Sequence, residues 1–221
     1  LTVWALDFLF DAGWVPSISL WPVLITTLLL FSTPGKILQL TLVARILTVG
    51  IRPGSYLRGG WTHLRIWAAE RFFTYLRLDP VLGTPATPIL YRLLGCTVGR
   101  DTELATFPPV TGLVSIGNNA ALEQEVDING YWIDGDVVHV GEIIVGDRVR
   151  IGLRTFVTPG SVIGDDAEIL PGSCVSGEIP NKKLYGGSPL VPHGEAGNTW
   201  PDQTPIEAAT TRTVSILGKF Q

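Results

Sequence analysis

The 221-residue chain has no methionine, two cysteines and few charges. Cys96 and Cys174 share no metal-ligand spacing with a partner motif and are too few to form a disulfide scaffold, so the expected compartment is reducing. Charged residues make up 16% of the chain against 46% apolar ones. Soluble domains usually carry about a quarter charged residues, so the deficit points to a membrane or an unusually apolar core. The missing methionine and the start at Leu1 imply a segment of a longer protein. No glycine-rich phosphate loop, nucleophile elbow or Cys–His pair occurs.

The charges that are present divide the chain. Residues 1–100 hold nine Lys and Arg against four Asp and Glu, and residues 101–221 hold seven against sixteen. A basic half joined to an acidic one suggests two surroundings, with the basic half facing anionic lipid. The basic residues lie among Trp, Phe and Leu without forming a patch, which argues against a nucleic-acid partner.

A run of 24 residues from Ala12 to Gly35 carries no charge. About 20 such residues at ~1.5 Å each span a bilayer core, so a transmembrane helix is expected, made irregular by Pro16, Pro22 and Pro34. Asp7 and Asp11 in front of the run do not fit a signal peptide. Lys36, Arg45, Arg52 and Arg58 follow the run, which places that side in the cytoplasm. Residues 37–51 read as an interfacial helix or the tail of the first, and 52–60 as a turn-rich break. Residues 61–78 read as an amphipathic helix, with Trp61, Leu64, Ala68, Phe72 and Tyr75 on its apolar face and Arg65, Glu70, Arg71 and Arg77 opposite.

The strongest pattern has a period of six. Val98, Leu104, Val110, Ile116, Leu122 and Ile128 are followed, after a gap, by Val145, Ile151, Val157, Ile163, Ile169 and Val175. Four residues after most of them comes a small or β-branched residue, among them Ala120, Thr155, Ser161 and Ser173. Glycine follows the aliphatic at 99, 117, 146, 152 and 164. Six residues per flat face and three faces per turn give a left-handed parallel β-helix of about four coils. The fold class is mainly β, with transmembrane and amphipathic helices before the coil. The expected divisions are 1–52 membrane-embedded, 53–92 interfacial helix and linker, 93–190 β-helix and 191–221 linker.

The break in phase between Ile128 and Val145 requires eleven extra residues, expected to leave the coil as a loop over 134–144. Loops on a rigid scaffold are where chemistry concentrates. His139 is the one histidine within the β-helix and could act as general base, with Asp134 or Asp136 orienting it. A solvated loop-tip histidine is the competing reading. Tyr131 is either a donor to a developing oxyanion or a packed aromatic at the loop base. His63 and His193 lie elsewhere and complete no metal site.

The segments VGIRPGSYLRGGWTHLRIWAAERF, LDPVLGTPATPILYRLLG, VSIGNNAALEQEVDINGYW and VRIGLRTFVTPGSVIGDDAEILPGSCV resemble the C-terminal membrane region of ε-poly-L-lysine synthetase and related nonribosomal peptide synthetases. LYGGSPL is similar to the closing motif of hexapeptide acyltransferases. The resemblance spans most of residues 45–190. It implies aminoacyl transfer to an amine from a phosphopantetheine thioester on a carrier domain, with no tightly bound cofactor or metal. It also implies sister β-helix units arranged as a trimer or pseudo-trimer at the membrane. Tyr131 stands where the family often has histidine, and Asp134 takes its acidic position. Either His139 has assumed the base's role or the unit is a non-catalytic scaffold. A free-standing membrane O-acyltransferase using coenzyme A is a third reading.

Overall fold

The aliphatic residue in every sixth position points inward from one flat side of a three-sided coil. A computed structural model describes residues 20–197. One face stacks Thr97–Val98, Val114–Ile116, Ile143–Val145, Val162–Ile163 and Glu178–Ile179. The second stacks Glu103–Leu104, Ala121–Leu122, Arg150–Ile151, Glu168–Ile169 and Lys183–Gly186. The third holds Asp127–Ile128, Phe156–Val157 and Cys174–Val175. The coil strands pair in parallel with Val145 beside Ile163, Ile151 beside Ile169 and Val157 beside Val175, one 18-residue turn apart. Each aliphatic is therefore buried between its equivalents above and below.

Val110 departs from the expected stack. It is buried, but against Ile66, Ala69, Val138 and Val140 outside the coil. Pro108 and Pro109 precede it, and proline cannot donate to a strand ladder, so the third face starts one turn late, at Asp127.

A side-chain ladder runs up one corner. Asp147 Oδ1 accepts from the Asn118 amide at 2.6 Å, Asp165 Oδ1 from Asp147 at 2.8 Å and Asn181 Oδ1 from Asp165 at 3.1 Å. This explains the glycines along that corner: a Cβ on Gly117, Gly146 or Gly164 would meet Asp147, Asp165 or Asn181 Oδ1, whereas Gly152 is crowded by Pro171 instead. At the far end, Val191–Glu195 pairs antiparallel with Lys183–Gly186, and Gly197 donates to Glu168. The stretch expected to be linker from 191 thus begins as a covering strand, and Asn198 onward lies outside the described residues.

Among the described residues four α-helices precede the coil: α1 (Leu20–Phe31), α2 (Thr33–Thr48), α3 (Trp61–Leu76) and α4 (Ala86–Leu94). Residues 12–19 of the uncharged run lie outside the described residues. No single described helix is long and apolar enough to cross a membrane; α1 and α2 meet that test only as a pair bent by 69°. The bend follows from Ser32-Thr33-Pro34-Gly35. Ser32 caps α2 by accepting from the Gly35 amide, and proline suits a first turn because its absent N–H has no helical partner there. Gly35 is buried against α1, and a Cβ there would land on the Leu29 carbonyl oxygen. Gly35→Ala should therefore force α1 and α2 apart. Spin labels on residues 24 and 42 would report this as a shifted interhelix distance; an unchanged distance would refute it.

Leu40 and Ala44 of α2 pack with Leu76, Leu90 and Leu94, fastening the first two helices to the rest of the chain. Tyr91 of α4 is fully buried at the open end of the coil and donates to the Thr106 carbonyl at 3.2 Å. In α3 the buried stripe is Ile66, Ala69 and Leu76, with Phe72 and Phe73 partly buried beside them. Trp61, Leu64 and Tyr75, on the stripe expected to face either the headgroup region or the β-domain, point outward at 75%, 46% and 80% exposure. The helix is apolar on two sides, and the smaller side chains fit closest to the β-domain.

Residues 52–60 are not merely a break. They contain β1 (Gly54–Leu57), which pairs with an antiparallel hairpin of β2 (Tyr131–Asp134) and β3 (Val137–Val140), in the order β1-β3-β2. The excursion from the coil is this hairpin. The coil has already resumed at Ile143, which pairs with Val114, so the extra residues leave it about three positions earlier than expected.

Candidate functional site

Asp134 pairs with Val137 across a two-residue turn, and Gly135 has the positive φ (+54°) that such hairpin turns require. Strand alternation then sorts the hairpin into two faces. The inner face presents Tyr131, Val138 and Val140 to Ile66 and Ala69 of α3. The outer face carries Trp132 and His139, directly opposite each other in register.

His139 stacks on the Trp132 ring with centroids 5.1 Å apart and planes at 27°. Its Nδ1 lies 3.1 Å from Ser55 Oγ, on the facing position of β1. With Nδ1–H donated to that hydroxyl, Nε2 keeps an uncommitted lone pair, which is the tautomer a general base needs. The turn is held too: the Arg58 amide donates to the Asp136 carbonyl at 2.8 Å and Arg58 Nη1 to the Gly135 carbonyl at 3.3 Å. The histidine therefore sits on a fixed sheet and not on a loop tip.

The three expected site residues do not converge. Asp134 is exposed at the end of β2 and makes no hydrogen bond or ion pair with His139, and neither does Asp136. Ser55 takes the place expected for a carboxylate. Tyr131 faces the other way, donating its hydroxyl to Glu70 Oε2 at 2.8 Å. That hydroxyl is committed to fastening the hairpin on α3.

Behind the hairpin lies a cleft of about 480 Å³ between α3 and the third face of the coil, bordered by Glu70, Thr74, Phe107, Asp127, Asn129 and Tyr131. Pro108, Pro109 and Val110 also border it. Burial raises the Glu70 carboxyl above its ordinary range; the Tyr131 hydrogen bond opposes the rise and the Asp127 charge adds to it. Burial likewise raises Asp127. Burial and the neighbouring Glu70 together lift the Tyr131 phenol well above its usual value, so its proton stays in place.

The folded chain thus holds the Glu70 proton more tightly than the unfolded one. Below the unfolded carboxyl pKa this costs nothing, and stability falls as pH rises through the raised value. Glu70→Gln, which can still accept from Tyr131, should gain stability over the parent between pH 4 and pH 7, read as diverging denaturant midpoints. A constant offset across that range would count against it.

Ser55 and Glu70 are absent from the expected site. Glu70 had a signal, as the one carboxylate between Asp11 and Asp79. Ser55 had none, since it meets His139 from 84 residues away. His63 Nδ1 accepts from the Gly59 amide at 2.8 Å, a local contact at the start of α3. Among the described residues no three His, Cys, Asp or Glu side chains gather for a metal. Both cysteines are free, and burial pushes the Cys96 thiol up to about 12, far from a reactive thiolate.

No protein-family model matches the chain. Over 170 residues it is 28% identical to δ-poly-L-ornithine synthetase of Acinetobacter baumannii, covering 72% of this chain and 12% of that protein. It is 30% identical over 106 residues to YvoF of Bacillus subtilis, named as a candidate acetyltransferase, covering 46% of this chain and 62% of that one. Galactoside acetyltransferase, solved with coenzyme A, aligns over 77% of this chain and 88% of its own at 16% identity and a TM-score of 0.43. The chain spans less than two thirds of the length of both curated relatives. The coil itself is a left-handed β-helix built of hexapeptide repeats. The proteins similar to it in sequence include proteins named as acyltransferases.

Proposed function

We propose that the chain is an acyl-transfer unit in which His139 is the general base. The observation that carries this is the His139 ring, stacked on Trp132 and engaged through Nδ1 by Ser55, on a hairpin that leaves the coil where a catalytic excursion is expected. An acceptor amine attacks the carbonyl carbon of a thioester. Nε2 of His139 takes the amine proton, the C–S bond breaks, and the proton passes to the departing thiolate. The finer reading follows the synthetase similarity: the donor is an aminoacyl group on the phosphopantetheine arm of a carrier domain, and the product is a peptide bond. The unit works on the cytoplasmic side of a membrane beside sister β-helix units, as a trimer or pseudo-trimer.

One observation favours a second reading. No carboxylate orients His139 among the described residues, as a non-catalytic assembly unit would allow. A transfer assay on the detergent-solubilised parent protein, with an aminoacyl-pantetheine thioester and a free amino acid, separates the two. Loss of product in His139→Ala supports catalysis by this unit, and undiminished product supports the scaffold.

A further inference from the structure

Between Leu20 and Leu78 the chain carries seven Lys and Arg and a single carboxylate, Glu70, which turns inward to the cleft. On the outer side of that segment two helices lie together. In α2 the residues packed inward are Ile37, Leu40, Ala44 and Leu47. The stripe on its opposite side is equally apolar: Leu38, Leu42 and Ile46 are 58%, 60% and 62% exposed. In α3 the corresponding outer stripe is Trp61, Leu64, Trp67 and Tyr75, with Arg71 among them. A helix that is apolar on both sides needs an apolar medium on the side its own domain does not cover. Trp and Tyr interleaved with Arg suit the boundary between lipid headgroups and acyl chains. Every described side chain of α1 from Trp21 to Phe31 is exposed, which a protein partner covering one face would not require but a surrounding lipid phase does.

We infer that the outer faces of α2 and α3 form a two-helix platform lying in the plane of one anionic leaflet, with α1 bent away from it into the acyl layer. This rests on the membrane location proposed above and adds the mode of attachment. Leu57 of β1, 70% exposed, and Trp61 of α3, 75% exposed, mark the rim of the platform. Ser55, which pairs with His139 of β3, lies two residues along β1 from Leu57, ~7 Å at strand rise. His139 is on the hairpin face turned away from α3, so the hairpin and α3 stand between it and the platform.

Spin labels on Leu28→Cys, Leu42→Cys, Trp61→Cys and, as a control on the coil, Val162→Cys test this in a Cys174→Ser background. Cys96 is buried and slow to react. The vesicles are phosphatidylcholine with phosphatidylglycerol, and phosphatidylcholine alone. With the anionic vesicles, labels at 42 and 61 should become accessible to oxygen and shielded from a nickel chelate at one shared, shallow depth. Residue 28 should lie deeper and residue 162 should not change. Leu42→Glu with Ile46→Glu should weaken vesicle partition by about tenfold or more, since buried apolar area drives interfacial binding. Unshielded labels at 42 and 61 with residue 28 still buried would overturn the platform while sparing the membrane location. Such labels shielded only when a protein partner is added would do the same. A chain that binds neither vesicle would sink the location itself.

Discussion

Substituting His139 by alanine is expected to lower the rate of acyl transfer by about a hundredfold or more, the range in which a positioned general base contributes. The loss should fall on turnover, because the ring meets the acceptor proton only as the amine attacks. Ser55→Ala should cost less, about tenfold, since the hydroxyl positions the ring and takes no proton from the substrate. Asp134→Asn should leave the rate unchanged, because the carboxylate makes no hydrogen bond or ion pair with the imidazole. The ordering of these three variants is as informative as the first value. A large effect at Asp134 with little at Ser55 would mean that the hairpin reorganises when substrate binds. Equal rates for all three and the parent would leave the unit a scaffold.

The second large effect is on stability. Ile163 is 1% exposed and sits in the coil between Val145 and Ile179. Truncation to alanine removes three carbons from a stack whose neighbours are held by their own ladders and cannot close the gap. Ile163→Ala should therefore cost about 2–5 kcal/mol, as buried isoleucine truncations do. Ile144 pairs beside Val162 on the same face, yet points outward and is 40% exposed. Ile144→Ala should stay within about 0.5 kcal/mol of the parent. Denaturant titration followed by circular dichroism measures both, and similar losses at the two positions would contradict the inward assignment.

The coil was legible because its information is repeated. Each aliphatic position, each small fourth residue and each following glycine recurs, so a single departure such as Val110 does not hide the period. The glycines could be read as part of the pattern, but their cause, the ladder through Asp147 and Asp165, emerges only when successive turns are stacked. The helices were harder. α3 is apolar on two sides, and the sequence pattern favours the bulkier stripe of Trp61, Leu64 and Tyr75, whereas packing against the hairpin selects Ile66 and Ala69. The site was the least legible part. The number of extra residues between Ile128 and Val145 was plain, but the hairpin they form and its third strand depend on Gly54–Leu57 meeting Val137–Val140. That pairing joins unrepeated segments far apart in the chain. His139 was identifiable by its chemistry, whereas Ser55 and Glu70 gained their roles from long-range contacts.

The corner ladder also acts as a gauge of allowable length. Each rung is completed by the turn above it, through the same pairing of backbone N–H and side-chain Oδ1. A whole turn could therefore be gained or lost with every remaining rung still matched. A change of any other length would leave some rung facing the wrong neighbour unless the surplus left the coil. The eleven residues that bear His139 do so, and their departure lets an otherwise uniform column carry one side chain at a chosen height.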